Sequence, residues 1–486
     1  MNIDCLLVAH SGSSISSRNQ LLKEMNIDII LQRPLNLAIA YLGTHLHKNG
    51  MSFAYINSIE DESVQLKQII LNNNVMCVGF STTFCNNTDQ LSEFVSLIRS
   101  MNSEIQIIIG GAYISNYLRN FSLRGDHMLQ YAFRRIKADF YVDSFYGEDI
   151  LSDLIETIKD GGDLKGIPNI YYREGKNYFF THQEKNCYAI ENYSINWSLF
   201  QDSLKNYVHV RTAVSCPFSC SFCVYPMNAG PHQCLSLFEF KRTMNEIKML
   251  EGINTLSFID DTFNMPLDRF KKILEMFIKN KYGFKWYSYI RCQYIDDEIT
   301  EMMQESGCIG AILGIESGSD RMLKIMNKNA CVKDYERGIK LLHKYNIQTF
   351  ASFVIGFPGE TSESLEETRL FIEKSKPTYY YAGVWFYDER APITKYKEQY
   401  EISGSGEAWS HKTMNAIEAF AYSNDIRQAV QNSISCDENI DNIMQLSQSV
   451  EMPLIKEYLY RLRTVIVHEL KDHDKYYKVK TKIEQS

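Results

Sequence analysis

Residues 214–226 read "VSCPFSCSFCVYP" and place Cys216, Cys220 and Cys223 within eight positions, whereas the other nine of the chain's twelve cysteines are scattered. A tetrahedral zinc site takes four ligands, ordinarily as two CxxC pairs. Cys234 stands eleven residues beyond Cys223 with no CxxC of its own, so zinc is the weaker reading of this loop. Three thiolates call for a group that keeps one coordination position open.

The loop follows a strand. From about residue 206 the segments "YVHVRTAVS", "TLSFID", "FKWYSYIRC", "GAILGIES" and "QTFASFVIGFP" have strand character, with amphipathic stretches such as "FEFKRTMNEIKMLEG" between them. Repeated βα units of this length predict a partial (β/α) barrel over 206–400, with the cysteines at the carboxyl end of its first strand, where such barrels carry their chemistry. Beyond about 400 the pattern is helical ("AIEAFAYSNDIRQAVQNSI", "PLIKEYLYRLRTVIVHEL"), which predicts an accessory region over 401–486.

A separate βα series precedes the barrel. "DCLLVA", "SFAYIN", "VMCVGFS", "IQIIIGG" and "ADFYVDS" are continuous apolar runs, the mark of strands buried on both faces. They predict a Rossmann-like, doubly wound parallel sheet over 1–150, with ligands at the strand ends "GFSTTF", "GGAY" and "YGED". No GxGxxG loop is present, which disfavours a dinucleotide. Residues 151–205, with a hairpin around Glu174 and Gly175, read as a connector.

Composition bounds the function. The 486 residues are 45% hydrophobic and 23% charged, as in a globular enzyme of two or three domains. A net charge of -8 argues against nucleic acid or an anionic bilayer as partner. The basic run "KDHDKYYKVKTK" contains Asp472 and Asp474 and reads as a solvated terminus. No stretch approaches the roughly 18 apolar residues of a membrane span. "MNIDCLLVAH" lacks a signal peptide's cationic region. Twelve cysteines without such a signal predict a reducing compartment, the cytoplasm.

A 4Fe-4S cluster on three thiolates leaves one iron open for a substrate or cosubstrate. CxxxCxxC, with Phe222 just before the last cysteine, resembles the radical S-adenosylmethionine (SAM) superfamily. The resemblance implies that the free iron chelates the amino and carboxylate groups of SAM, and that one electron cleaves the sulfonium. Four later strand ends fit the same reading: "FIDDTF" with Asp260 and Asp261, "YIRC" with Arg291, "GIESG" with Glu316, and "VIGFPGET" with Gly356, Pro358 and Glu360. They are expected to hold the nucleoside and methionine portions of SAM. Read singly, each also has an ordinary explanation as a helix cap, strand end or turn.

Residues 1–150 are similar to the cobalamin-binding domain of one branch of that superfamily. "RPLNLAIAYLGTHLHKNG" resembles its early helix, and "VGFSTTF", "IIIGGAY" and "YGEDIL" resemble its loop signatures. The resemblance makes Ser81, Thr82, Gly110, Gly111 and Glu148 contacts of the corrin and its nucleotide tail. The DxHxxG histidine of other cobalamin proteins is absent, with "NNTDQL" in its place, which leaves the lower cobalt ligand open. A transfer-RNA methylthiolation enzyme would need three further cluster cysteines, and Cys5 and Cys77 read instead as strand interior. "VWFYDERAPI" and "GSGEAWSHKTMN" suggest a lid carrying Tyr387, Trp409 and His411 as substrate residues, and resemble a branch that includes P-methyltransferases of phosphinate natural products.

The implied activity is methylation of an unactivated carbon or phosphorus centre in a small-molecule or peptide substrate, with flavodoxin or ferredoxin as electron donor. The alternatives are cyclisation, epimerisation or aminocarboxypropyl transfer by the same cluster, or a non-catalytic cobalamin or nucleotide sensor.

Overall fold

The computed structural model describes residues 1–85, 87–122, 126–185 and 188–464. The basic run at 471–482 and the end of the helical segment at 453–470 lie outside the described residues.

Seven strands build the first sheet: β1 (Asn2–Ala9), β2 (Phe53–Ile56), β3 (Asn74–Ser81), β4 (Gln106–Gly110), β5 (Phe140–Val142), β6 (Ile170–Glu174) and β7 (Asn177–Phe180), in the order β2-β1-β3-β4-β5-β6-β7. The first five are parallel. Burial on both faces explains the unbroken apolar runs: along β1, Cys5, Leu7 and Ala9 enter one core while Leu6 and Val8 enter another. The hairpin expected in the connector instead adds β6 and β7 antiparallel to β5, so the sheet is mixed. Its aromatic residues have a surface to cover: Tyr178 packs 5.0 Å from Phe133, ring centre to ring centre, and its hydroxyl donates to the Ala138 carbonyl at 2.8 Å.

The second sheet begins with β8 (Tyr207–Val210). A short antiparallel pair, β9 (Ala213–Val214) and β10 (Gln233–Cys234), then brackets the cysteine loop. β11 (Thr255–Phe258), β12 (Lys285–Tyr289), β13 (Cys308–Glu316), β14 (Gln348–Ile355) and β15 (Tyr379–Val384) follow in chain order beside β8, all parallel. β16 (Ser403–Ser405), β17 (Ala408–His411) and β18 (Met414–Asn415) form a small separate sheet. β19 (Ile434–Ser435) joins β15, and the sheet ends at β8 and β19 without closing: a partial barrel, as expected. The region after residue 400 is largely helical, with Ala416–Ala429, Ile440–Ser447 and residues 452–464 in helices.

One core runs through both sheets. Ile39 of helix Leu37–Lys48, Leu154 of helix Glu148–Asp160, and Trp197 and Phe200 belong to the same buried cluster as Val208 and Phe240 of the barrel. A further cluster joins Leu21, Leu22 and Leu31 to Tyr287, Ile312 and Tyr458, and Arg18 Nε donates to Glu438 at 3.0 Å beside it. Among the described residues no helix is long and apolar enough to cross a membrane.

Gly111, just after β4, has φ of +103°, and a Cβ there would meet the Thr82 backbone nitrogen at 2.9 Å. Gly111→Ala is expected to cost about 1–3 kcal/mol, read as a lower urea midpoint. Gly166→Ala, where an added Cβ meets nothing within 4 Å, leaves the midpoint unchanged.

Candidate functional site

In-register pairing sets the carboxyl ends of the first sheet level, with Ala9 opposite Ser81 and Ser81 opposite Gly110. They border a cavity of about 310 Å³ lined by Gly79, Ser81, Gly110, Gly111 and Glu148. Leu37 and Tyr41 of helix Leu37–Lys48 form another wall, and Arg211, Tyr225 and Ile259 of the barrel complete it. Missing side chains make the room: a Cβ on Gly110 would already touch Val142 Cβ at 3.4 Å. Glu148 is buried, and that burial raises its carboxyl pKa against the pull of Arg211.

Thr82 is a correction. It is fully buried and does not line the cavity: its hydroxyl donates to the Gly110 carbonyl at 2.8 Å and accepts from the Ile114 amide at 3.1 Å. It ties β3 to β4 and to the start of helix Ala112–Ser122, while its neighbour Thr83 faces the cavity.

The cysteine loop lies against the same wall, since Tyr225 comes two residues after Cys223 and lines the cavity. Its backbone is pinned from two sides. The Ser221 amide donates to the Met326 carbonyl at 2.9 Å, the Ile393 amide donates to the Ser221 carbonyl at 2.9 Å, and Asn327 Nδ2 donates to the Ser219 carbonyl at 2.8 Å. Cys220 is buried, and its sulfur accepts from Arg291 Nη2 at 3.3 Å. Cys216 Sγ lies 3.7 Å from Thr262 Oγ1. Burial pushes the Cys223 thiol up to about 11, and the neighbouring Cys220, Asp261 and Cys216 add to the rise. The thiols thus lie within electrostatic reach of one another, yet among the described residues no three His, Cys, Asp or Glu side chains converge on a single ion.

The two aspartates after β11 divide the work. Asp260 Oδ1 accepts from the Thr212 amide at 2.7 Å and the Ala213 amide at 2.9 Å, and its other oxygen takes the Thr212 hydroxyl. It is buried and anchors the entry to the cysteine loop, a correction to the expectation that it meets a cofactor. Asp261 is the exposed member of the pair. The surrounding protein and the Asp260 charge push its carboxyl up to about 6, against a hydrogen bond from Tyr225.

Arg291, expected to help hold SAM, is engaged by the loop itself. Its guanidinium lies 3.5 Å from the Phe218 ring centre, and Nη1 donates to the Lys328 carbonyl at 3.0 Å. Glu316, at φ of +69°, forms a buried ion pair with Lys328 at 3.1 Å, and Lys328 Nζ lies 5.7 Å from the Phe222 ring centre. The strand ends therefore converge on the cysteine loop through Lys328, which no motif marked.

Gly356 sits at φ of +88°, where an added Cβ would strike Trp409 at 2.5 Å. Its amide donates to Glu360 Oε2 at 2.5 Å, and its carbonyl accepts from His411 Nε2 at 3.0 Å. Trp409 Nε1 donates to the Trp385 carbonyl at 2.7 Å, and Tyr387, Trp409 and His411 are 1%, 4% and 7% exposed. These three form no open lid. They are a buried buttress behind Gly356, because two tryptophans with ring centres 5.1 Å apart, tilted 58° to each other, gain more by leaving water than by facing it.

Tyr41, Arg211 and Tyr225 line the cavity without belonging to any expected set. Arg211 carried a faint signal: it is a charged residue just past the first barrel strand.

Residues 210–372 match the family model of the Radical SAM superfamily. The uncharacterized methyltransferase PH0819 of Pyrococcus horikoshii is 27% identical over 237 residues, covering 47% of this chain and 51% of that protein. The anaerobic magnesium-protoporphyrin IX monomethyl ester cyclase of Rubrivivax gelatinosus is 22% identical over 356 residues, covering 68% and 60%. This chain thus spans between half and two thirds of the length of these two relatives. The radical S-adenosylmethionine methyltransferase TsrM of Kitasatospora setae, solved with cobalamin and a [4Fe-4S] cluster bound, aligns with a TM-score of 0.62 at 17% identity over 81% of this chain and 74% of its own. That likeness is one of fold.

Burial pushes the Glu360 carboxyl up to about 8, partly offset by the Gly356 and Phe357 amides, and its Oε1 is buried with no partner. The native state therefore holds a proton that the unfolded chain releases near pH 4.5, the ordinary glutamate value. This contribution to stability is complete below that value and is lost as pH rises to about 8. Glu360→Gln removes the dependence, so thermal melts should show the variant gaining on wild type from pH 5 to pH 8; parallel profiles would contradict a buried neutral acid.

Proposed function

We propose that this chain, whose residues 210–372 form a radical SAM domain, is a cobalamin-dependent radical SAM methyltransferase acting on an unactivated carbon or phosphorus centre of a natural-product or peptide substrate. The observation that carries the reading is the shared wall: Tyr225, which follows the cysteine loop, and Ile259, which precedes the two aspartates, both line the cavity at the first sheet's carboxyl edge. A group on the cysteines and a group in that cavity would be neighbours. The fold likeness to TsrM and the sequence likeness to PH0819 support it.

The residues fit these cofactors. Cys216, Cys220 and Cys223 would hold the cluster, and the cavity bordered by Ser81, Gly110, Gly111 and Glu148 would receive part of the cobalamin. When bound, the two groups supply one-electron reduction of SAM and a transferable methyl group. Arg291 steadies Cys220 and the loop with a fixed cation. Asp261, with its carboxyl near 6, is ionised at neutral pH beside the loop and offers a partner for the ammonium of SAM. Gly356, buried and held by Glu360 and His411, fixes the course of the backbone at the end of β14. Placement between the two sheets limits water, which protects reactive species from side reactions. Flavodoxin or ferredoxin as electron donor, and a cytoplasmic setting, belong to the same proposal.

The cyclase relative favours a second reading, in which the cluster drives a radical reaction without methyl transfer. Products separate the two, because methyl transfer from SAM leaves S-adenosylhomocysteine.

After anaerobic reconstitution with iron, sulfide and hydroxocobalamin, wild type is expected to carry about four irons and to retain corrinoid through gel filtration. Cys220→Ala should lose the iron and turnover while keeping the corrinoid. Cys234→Ala, whose sulfur lies 3.7 Å from His232 Nε2 outside the loop, should keep both. Iron retained by Cys220→Ala, or lost from Cys234→Ala, would contradict the three-cysteine assignment.

A further inference from the structure

Two charged side chains line the cavity, Glu148 and Arg211. Burial pushes the carboxyl of Glu148 toward its neutral form. Arg211 has no such escape, because a guanidinium stays protonated in proteins. It lies over the Tyr41 ring at 4.1 Å, and its Nη2 donates to the Tyr188 hydroxyl at 2.5 Å. Tyr188 is itself stacked between Tyr146, 3.7 Å away, and Tyr193, 4.6 Å away, each within 8° of parallel. The guanidinium is thus held in position by aromatic rings and a phenol. Its Nε is buried without an acceptor, and among the described residues no carboxylate forms an ion pair with it. Part of Arg211 remains uncovered, and the residue is among those that line the cavity.

Glu148 acts on Arg211 electrostatically but forms no ion pair with it, and a partly buried cation without a paired anion is costly; a charge-assisted bond from an anion relieves that cost where a neutral amide does so only weakly. On the reading above, the occupant is cobalamin, whose peripheral side chains are neutral amides and whose one fixed anion is the phosphodiester of its nucleotide tail. We propose that Arg211, a residue of the barrel, pairs with that phosphodiester and makes the cavity selective for a corrinoid carrying its complete tail. The selectivity would then be set by the partner sheet, across the boundary from the strand ends that border the cavity.

The test compares hydroxocobalamin with diaquacobinamide, which has the same corrin but neither phosphate nor nucleotide base. Affinity of the anaerobically reconstituted full chain for each is read by equilibrium dialysis and corrin absorbance. Wild type is expected to prefer hydroxocobalamin. Arg211→Gln should weaken hydroxocobalamin binding by about 10–100-fold, the range for a charge-assisted hydrogen bond, and leave diaquacobinamide within about two-fold. Arg211→Lys, which keeps the charge without the fork, should retain part of the preference and serves if the glutamine variant fails to fold. Equal losses for both corrinoids would place Arg211 against the ring amides and overturn the proposal, as would no loss for either or an equal wild-type affinity for the two. Wild type binding neither would overturn the cobalamin reading itself.

Discussion

Two sheets whose site-forming strands run parallel can serve one site only if their carboxyl edges face the same space, and here a single core imposes that arrangement. Helices Leu37–Lys48 and Glu148–Asp160, with Trp197 and Phe200 of the following segment, contribute to one buried cluster that also takes in residues of the first sheet and the barrel. A shared core resists hinge motion, because sliding one sheet against the other would open voids among close-packed side chains. The cavity and the cysteine loop are therefore parts of one interior surface. The polar contacts are additions to this base: Tyr146 donates to the Ala229 carbonyl at 2.9 Å and Tyr207 to the Gln32 carbonyl at 2.9 Å, each crossing between the sheets.

Within that frame, adjacent residues of similar chemistry separate into supports and working groups. Asp260 is consumed by Thr212 and Ala213, which leaves Asp261 as the exposed member of the pair. Thr82 ties two strands together, so that Ser81 and Thr83 can face the cavity. Glu360 and His411 fix the two ends of one peptide residue, Gly356, whose own lack of a side chain is demanded by Trp409. In each case a buried polar group is satisfied by backbone that would otherwise wander, and precision at the working residue is the result.

The legible part of this organisation is local in sequence. The CxxxCxxC spacing, the apolar runs of β1, β3 and β4, and the glycines after them can be read because the constraint and the residues that meet it lie within a few positions of each other. The unread part depends on distant pairs. Arg211 matters because Tyr41 and Tyr188 come to it from other elements, and Lys328 because it meets Glu316 beneath the cysteine loop. Trp409 and His411 looked like a lid because glycine-rich loops with aromatics often are one; burial against Gly356 makes them a support, and burial is invisible to a pattern of residue types. The hairpin of β6 and β7 was placed in a connector because nothing in its own residues says which sheet edge it will extend.

The central claim is that three cysteines leave one iron of a cluster without a protein ligand, open to SAM. Electron paramagnetic resonance of the reduced, reconstituted protein, recorded with and without SAM, tests it most directly. The account predicts that adding SAM shifts the cluster's g-values, because the amino and carboxylate groups of the ligand bind that iron. A cluster signal that SAM leaves unchanged would contradict it.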